Sequence, residues 1–369
     1  AGSHANHVGL LDAAVEEPLG VCLLEDAGFG CACQVGIQNH NIVKLIAQLL
    51  QGVARCRLRI GAAFPVRLSL CERSFAMSAP LHLYLHVPFC VRRCTFCNQK
   101  IYPATPETCK AYANALLAEL EATAPDFSGD PVQTVYWGGG SPTALSQDDF
   151  ARIMRRIREL FSLAADTEVT VEALPNRVDA SWMVAFQNTG VNRLVLGLAT
   201  ARIPELERIG SANNMPSSET SLILPQLFHL PGYEATLLYG IPGQTAANFA
   251  TSLRFAVKYK VSALRLDPLT LPKGVEETVC RDEVPAMLDY AARHLTEKGY
   301  HEYLPGRWAK PGQECRDLLA RQSTENYLSF GPGTTTRVDG DLSRTTENIA
   351  VYTLHPQEPE LLYKPVTGA

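Results

Sequence analysis

Three cysteines set close together, Cys90, Cys94 and Cys97, carry the strongest chemical signal in the chain. The spacing C-x3-C-x2-C lets three thiolates wrap one compact metal centre. A structural zinc site wants four ligands, and the next cysteine, Cys109, follows only twelve residues after Cys97. A [4Fe–4S] cube has four irons, so three thiolates would leave one iron open to a small molecule. Two other readings stand beside the cube: a zinc site completed by a remote ligand, and chance clustering in a chain with eleven cysteines. Glycine-rich exits accompany the triad. Gly138-Gly139-Gly140-Ser141-Pro142 lets main-chain amides and carbonyls approach a ligand closely, although a tight turn explains it equally well. Glu172, before Ala173-Leu174-Pro175, could hold ribose hydroxyls or sit solvated at a rim. Tyr239-Gly240-Ile241-Pro242-Gly243-Gln244-Thr245 is a third exit of this kind.

Such residues need a frame. Strand-like runs fall at 81–87, 132–137, 168–172, 193–197, 235–239 and 263–267, with helix-like stretches near 107–124, 146–161, 180–189, 203–210, 217–229 and 245–259. Ser146, followed by Asp148 and Asp149, marks an acidic helix start. Six alternations with mostly apolar strands predict an α/β fold, a parallel sheet covered by helices. Chemistry in such barrels gathers at the C-terminal ends of the strands, and the cysteine triad directly follows the first of them. After about residue 300 the pattern is less regular, punctuated by Pro311-Gly312 and Gly331-Pro332-Gly333. The last of these reads as a plain turn or as a flap over a ligand.

The first Met is Met77, in Met77-Ser78-Ala79-Pro80. Residues 1–76 show weak periodicity, with one helix expected over 42–53 on Ile42, Leu45, Ile46, Leu49 and Leu50. That segment is expected to be an added element or sequence not natively translated. With 369 residues, 46% hydrophobic and 19% charged, the chain reads as soluble and globular, with a core that needs no disulfides. A formal charge of −5 argues against a grip on nucleic acid or an acidic membrane. No run of 18 apolar residues predicts a membrane span, and no secretory signal is evident; a reducing cytoplasm is the expected location. Arg152, Arg155, Arg156 and Arg158 read as a solvated helix face, and Cys109, Cys280 and Cys315 as free buried thiols.

As a set, the motifs resemble those of radical S-adenosylmethionine (SAM) enzymes, in the branch of oxygen-independent coproporphyrinogen III oxidase. The resemblance rests on Tyr84-Leu85-His86-Val87-Pro88-Phe89-Cys90, the C-x3-C-x-Phe-C motif, residues 138–142, Glu172, Gly190-Val191-Asn192-Arg193-Leu194, residues 239–245 and Ala309-Lys310-Pro311-Gly312. It covers about residues 81–345. It implies an open (β/α)6 partial barrel over 77–270 and a short C-terminal extension over 271–369, reduced relative to the family. Cys90, Cys94 and Cys97 would then hold a [4Fe–4S] cluster whose open iron takes the amino and carboxylate groups of SAM. Gly138, Gly139 and Gly140 would line the methionyl end, Glu172 would hold the ribose, and Tyr84 and Phe96 would sit beside the cofactor. One or two SAM molecules and a flavodoxin- or ferredoxin-type electron donor are implied; no residue is assigned to catalysis.

Departures narrow the function. The family's Gly-Val-Gln-Ser is Gly197-Leu198-Ala199-Thr200, its Arg twelve residues after the Gln is Ser211, and its Asp before Leu-Ile-Tyr-Gly is Thr236. All three are polar contacts to the first SAM in the family. Its His-Asn after Glu-Cys-Arg reads Asp317-Leu318, its Gly-Ala-His-Ser reads Gly333-Thr334-Thr335-Thr336, and Asn98-Gln99 stand where the oxidases place a further Cys. Coproporphyrinogen oxidation itself is therefore not expected. The expected activity is reductive cleavage of SAM to a 5′-deoxyadenosyl radical for methyl or methylene transfer to a heteroaromatic or natural-product substrate. Asp267-Pro268-Leu269-Thr270-Leu271 lends this weak support by its likeness to a Tyr-Pro-Leu element of divergent members. The alternatives are a haem chaperone or other tetrapyrrole-handling protein, for which His229, His294 and His301 are axial-ligand candidates by residue type alone, and a paralogue that keeps the cluster without cleaving SAM.

Overall fold

The computed structural model describes residues 32–33, 57–58, 79–97, 99–270, 281–358 and 362–366. The chain divides into two compact units, Ala1–Met77 and Ser78–Ala369. In the first, the described residues form a two-residue parallel pair, Ala32–Cys33 beside Arg57–Leu58. The helix expected over 42–53, and Cys22, Cys31, Cys56, Cys71 and Cys280, lie outside the described residues.

A twelve-stranded sheet carries the second unit. Strands β1 (Leu81–Val87), β2 (Pro131–Gly139), β3 (Ser162–Ala173), β4 (Arg193–Ala199), β5 (Gly232–Tyr239) and β6 (Ala263–Pro268) lie side by side in chain order. All of their pairings are parallel, which requires a crossover between successive strands. Helices α1 (Pro106–Thr123), α2 (Gln147–Leu160), α3 (Ala180–Asn188), α4 (Ile203–Arg208), α5 (Met215–Leu227) and α6 (Ala246–Lys258) supply it. Five of these helices start on a side-chain cap. Thr105, Ser146, Asp179, Asn214 and Thr245 each accept a hydrogen bond from the amide three residues on.

Short elements extend the sheet at both sides. Beside β6 lie β7 (His301–Leu304) and β8 (Arg307–Ala309), joined antiparallel. Beside β1 lie β9 (Asn326–Phe330), β10 (Thr335–Val338), β11 (Asp341–Thr345) and β12 (Tyr363–Pro365). β9 runs parallel to β1, so a seventh parallel strand flanks the six. Helices α7 (Val284–Glu297), α8 (Arg316–Gln322) and α9 (Ile349–Leu354) complete the set. β7 and β12 end the sheet without pairing to each other, so the barrel stays open. This is the open α/β partial barrel with a C-terminal extension that the sequence implied.

One expectation needs correction. The mostly apolar pattern holds in β4, where Leu194, Val195, Leu196, Leu198 and Ala199 are buried, but not in β1, where Leu81, Leu83, Leu85 and Val87 alternate with His82, Tyr84 and His86. The apolar set is fully buried and shares a core with Tyr112, Leu116 and Leu120 of α1. Each such side chain contributes roughly 1.5–3 kcal/mol. The polar set faces the barrel lumen. His82 reaches Thr134 Oγ1 of β2 at 2.9 Å.

Candidate cluster and cofactor site

The cysteine triad occupies the loop leaving the C-terminal end of β1. Phe89–Cys90 pairs in parallel with Tyr102–Pro103 and closes that loop at its base. Inside it, the Cys97 amide donates to Cys94 O at 3.1 Å and Arg93 Nη2 to Cys97 O at 3.1 Å. Thr95 Oγ1 donates to Ile209 O at 2.6 Å, tying the loop to the segment after α4. Cys90, Cys94 and Cys97 are free and half-buried. Burial pushes the thiols of Cys90 and Cys94 up, and the neighbouring cysteines push the same way. Arg177 opposes this at Cys90 and Arg92 at Cys94. Arg93 acts instead on the loop backbone.

The donor set fits an iron–sulfur cube. Three thiols on one loop, close enough that Cys97 raises the thiol pKa of both Cys90 and Cys94, are the donor chemistry that such a cube takes.

The glycine exit of β2 is a steric requirement. A Cβ on Gly140 would lie 2.5 Å from Phe89 O, and the Gly140 amide donates to Val87 O at 2.8 Å. Gly139 sits at φ +107°, where a side chain would also meet His86 and Val87 O at 2.8 Å. Gly138 is enclosed by Tyr136, Tyr84 and Glu172, whose nearest atoms stand 3.0, 3.0 and 3.2 Å from a built Cβ. The structure therefore brings Tyr84, Gly138, Gly139, Gly140 and Glu172 together beside the cysteine loop.

A polar chain runs down the lumen from this rim. Tyr136 donates to Glu172 and accepts from Arg265 Nη1 at 2.9 Å. Arg265 also pairs with Glu234, which lies 3.3 Å from Arg193 Nη1. Arg193 Nε in turn lies 3.0 Å from Glu168. Buried charges persist only when paired like this, and the pairing fixes the half-exposed Glu172 at the rim. Tyr84 hydrogen-bonds His86 Nδ1 at 3.0 Å. Burial pulls the His86 pKa down to about 4, so its ring is neutral near pH 7.

The end of β1 is backed by the C-terminal extension. Tyr112 donates to His86 O. The Gly331-Pro332-Gly333 turn packs there too: a Cβ on Gly331, at φ +104°, would lie 2.7 Å from His86 O. The Gly331 amide donates to Glu119 Oε2 at 3.0 Å, Tyr352 donates to the same oxygen at 2.6 Å, and Tyr363 donates to Oε1. Burial pushes the Glu119 carboxyl up to about 7.

Across the mouth the picture changes. Ala199, at φ 64°, ends β4 after a register shift and joins Ile209, Leu238, Ile241 and Leu269 in a small apolar cluster on which Phe96 packs. Thr236 pairs with Gly197, and Ser211 Oγ accepts from the Asn213 amide at 3.2 Å. The histidine candidates stay in three separate elements. His229 is exposed after α5, His294 stacks on Tyr290 at 5.4 Å in α7, and His301 lies 2.9 Å from Glu314. On α2, Arg155 and Arg158 are exposed and Arg156 pairs with Glu121 at 2.7 Å, as on a solvated face, whereas Arg152 reaches the buried Asp149 at 3.0 Å. Cys109 and Cys315 are free and buried.

Tyr136, Arg265, Asp317 and Arg321, which shape the lumen, were not singled out by the sequence as site residues. Asp317 registered there only as a departure from the family. The signal that could have found the lumen groups is the strict Leu-His-Leu-Tyr-Leu-His-Val alternation of β1.

The profile of the Radical SAM superfamily matches residues 84–256. Heme chaperone HemW of Escherichia coli is 30% identical over 288 residues, 75% of this chain and 75% of that protein. The chain belongs to the radical SAM superfamily. Its place there is the coproporphyrinogen III oxidase-like branch. The oxygen-independent coproporphyrinogen III oxidase of Escherichia coli is 29% identical over 276 residues, 71% of this chain and 59% of that one. The solved structure of coproporphyrinogen III oxidase (HemN) from Escherichia coli superposes with a TM-score of 0.72 at 21% identity, covering 83% of this chain and 76% of that chain. Radical SAM proteins hold a [4Fe–4S] cluster and SAM. No helix among the described residues is long and apolar enough to cross a membrane.

Proposed function

We propose that this radical SAM protein binds and hands on haem, using the barrel mouth as a cluster- and SAM-bearing platform. The observation that carries the reading is the 30% identity to a protein named a heme chaperone, over three quarters of both chains. Carbon transfer to a heteroaromatic substrate, the activity expected from the sequence, gains no support from a named relative at this level. In the proposed arrangement Cys90, Cys94 and Cys97 hold the cluster, which supplies an open iron and a low-potential electron when bound. The glycine exit of β2, packed tightly on the end of β1, would turn its main-chain groups toward the methionyl end of SAM. Glu172, held by Tyr136 and Arg265, presents a carboxylate to ribose hydroxyls. Tyr84, hydrogen-bonded to a neutral His86, closes the floor beside them. The apolar cluster around Ala199 stands where the family's Gln would meet the nucleoside, so SAM would be held there by packing rather than by that amide. Exposed Val91, Arg92 and Arg93 around the triad suit an acidic electron donor of the flavodoxin or ferredoxin type.

The test is an anaerobic titration of cluster-reconstituted protein with haem, followed at the Soret band, with 5′-deoxyadenosine measured alongside. Saturable uptake near one haem per chain without 5′-deoxyadenosine is expected. Absence of saturable haem uptake, with steady formation of 5′-deoxyadenosine, would return the assignment to a SAM-cleaving enzyme.

A further inference from the structure

Three arginines point into the lumen, and two are spent on the protein itself. Arg193 donates to Glu168, Glu234 and the carbonyls of Gln313 and Glu314. Arg265 donates to Glu234, Tyr136 and Glu172. Arg321 differs. Its Nε donates to Asp317 Oδ2 at 2.8 Å, and neither of its Nη groups has an acceptor among the described residues.

Arg321 is nonetheless firmly placed. Its guanidinium carbon stands 4.9 Å from the Tyr84 ring centre, 4.8 Å from Tyr136 and 5.7 Å from Tyr327. Aromatic faces hold a cation there without consuming its hydrogen bonds. Tyr327 donates to the other Asp317 oxygen at 2.7 Å, so the carboxylate that orients the guanidinium is itself fixed. About a third of the Arg321 side chain remains accessible, 37%, and it lines a cavity of about 340 Å³ with Tyr84, Tyr327, Ser329, Thr335 and Leu342. Arg337, at the same cavity, is no rival: its donors go to the carbonyls of Glu325, Arg321 and Ala320.

A preset planar cation with open Nη donors suits a carboxylate, which guanidinium can bind through two parallel hydrogen bonds. The volume lies at the small end of ligand pockets, enough for an acid arm and the ring edge that bears it. We propose that Arg321 is the receptor for a propionate-type carboxylate of the bound tetrapyrrole, with Asp317 as its positioning residue. This rests on the haem-handling reading.

Haem and its dimethyl ester, in the same detergent and under anaerobic conditions, form the probe pair for the wild type, Arg321→Gln and Arg321→Lys. The wild type should bind the diacid at least tenfold more tightly than the diester, as expected for one charge-assisted pair. Arg321→Gln should remove that preference while leaving affinity for the ester unchanged, and Arg321→Lys should retain part of it. Equal binding of diacid and diester by the wild type overturns the assignment while leaving haem handling intact. An Arg321→Gln protein that loses SAM affinity but keeps its preference for the diacid also overturns it, by giving the group to the carboxylate of SAM. Saturable binding of neither porphyrin overturns the haem reading itself, and this inference with it.

Discussion

Between β1 and β3 the barrel mouth is lined by groups that hold one another. Tyr84 meets His86, Tyr136 bridges Glu172 and Arg265, and the glycines of β2 press against the carbonyls of Val87 and Phe89. Between β4 and β5 the corresponding rim is apolar, built from Ala199, Leu238 and Ile241 with Phe96 laid on it. In the proposed arrangement the first side holds the cluster and the methionyl and ribose parts of SAM. The second has lost the polar side chains that the family uses on the same cofactor. A hydrogen bond to a charged group is worth about 1.5–3 kcal/mol, so in the proposed arrangement the first side would hold SAM more tightly than the second.

The largest effect should come from breaking the retained side. Cys94→Ala should abolish the cluster, seen as loss of iron and of the broad visible absorbance after anaerobic reconstitution. An unchanged iron content would show that the triad is not the ligand set.

A smaller effect should follow from the backing of β1. The Glu119 carboxyl is raised to about 7 in the folded chain, against an ordinary value of roughly 4.3. The folded state therefore keeps a proton that the unfolded state has released, and stability falls as pH rises from about 4.3 to 7. The loss amounts to a few kcal/mol at about 1.4 kcal/mol per unit. Glu119→Gln, always neutral, should show a flatter profile in urea unfolding across pH 4.5–8, and superimposable slopes would refute the account.

On the rebuilt side, Ala199→Gln puts an amide into an apolar cluster and should cost about 1–3 kcal/mol, read as a lower urea midpoint with iron content unchanged. A neutral result would mean that this side is loosely packed and its polar contacts could be restored freely.

Much of the frame was legible in the sequence. The first strand was expected over 81–87 and is Leu81–Val87; the helix expected over 180–189 is Ala180–Asn188. Long apolar-periodic segments with capping residues announce themselves. β3 runs from Ser162 rather than 168 because Ser162–Thr167 are mostly exposed or half-buried, with only the short Leu163-Ala164-Ala165 run to mark them. β7, β8 and β10–β12 have three to five residues each and are mostly surface-lying, too short for a period to register. The cysteines, glycines and Glu172 were found because their types are chemically unusual at strand ends. Arg321 was not, because an arginine four residues after an aspartate reads as an ordinary helical ion pair until the tyrosines of β1, β2 and β9 are folded around it.

The pairing of β9 with β1 has a consequence in time. β1 ends at Val87, and the strand that covers its outer edge begins at Asn326, roughly 240 residues later. A ribosome adding roughly 5–20 residues per second needs on the order of 12–50 s to deliver it. Until then the nascent chain presents β1, with its alternating leucines, as an open edge able to pair with a foreign strand. The strand that leads into the cysteine loop is thus the last of the parallel set to be sealed.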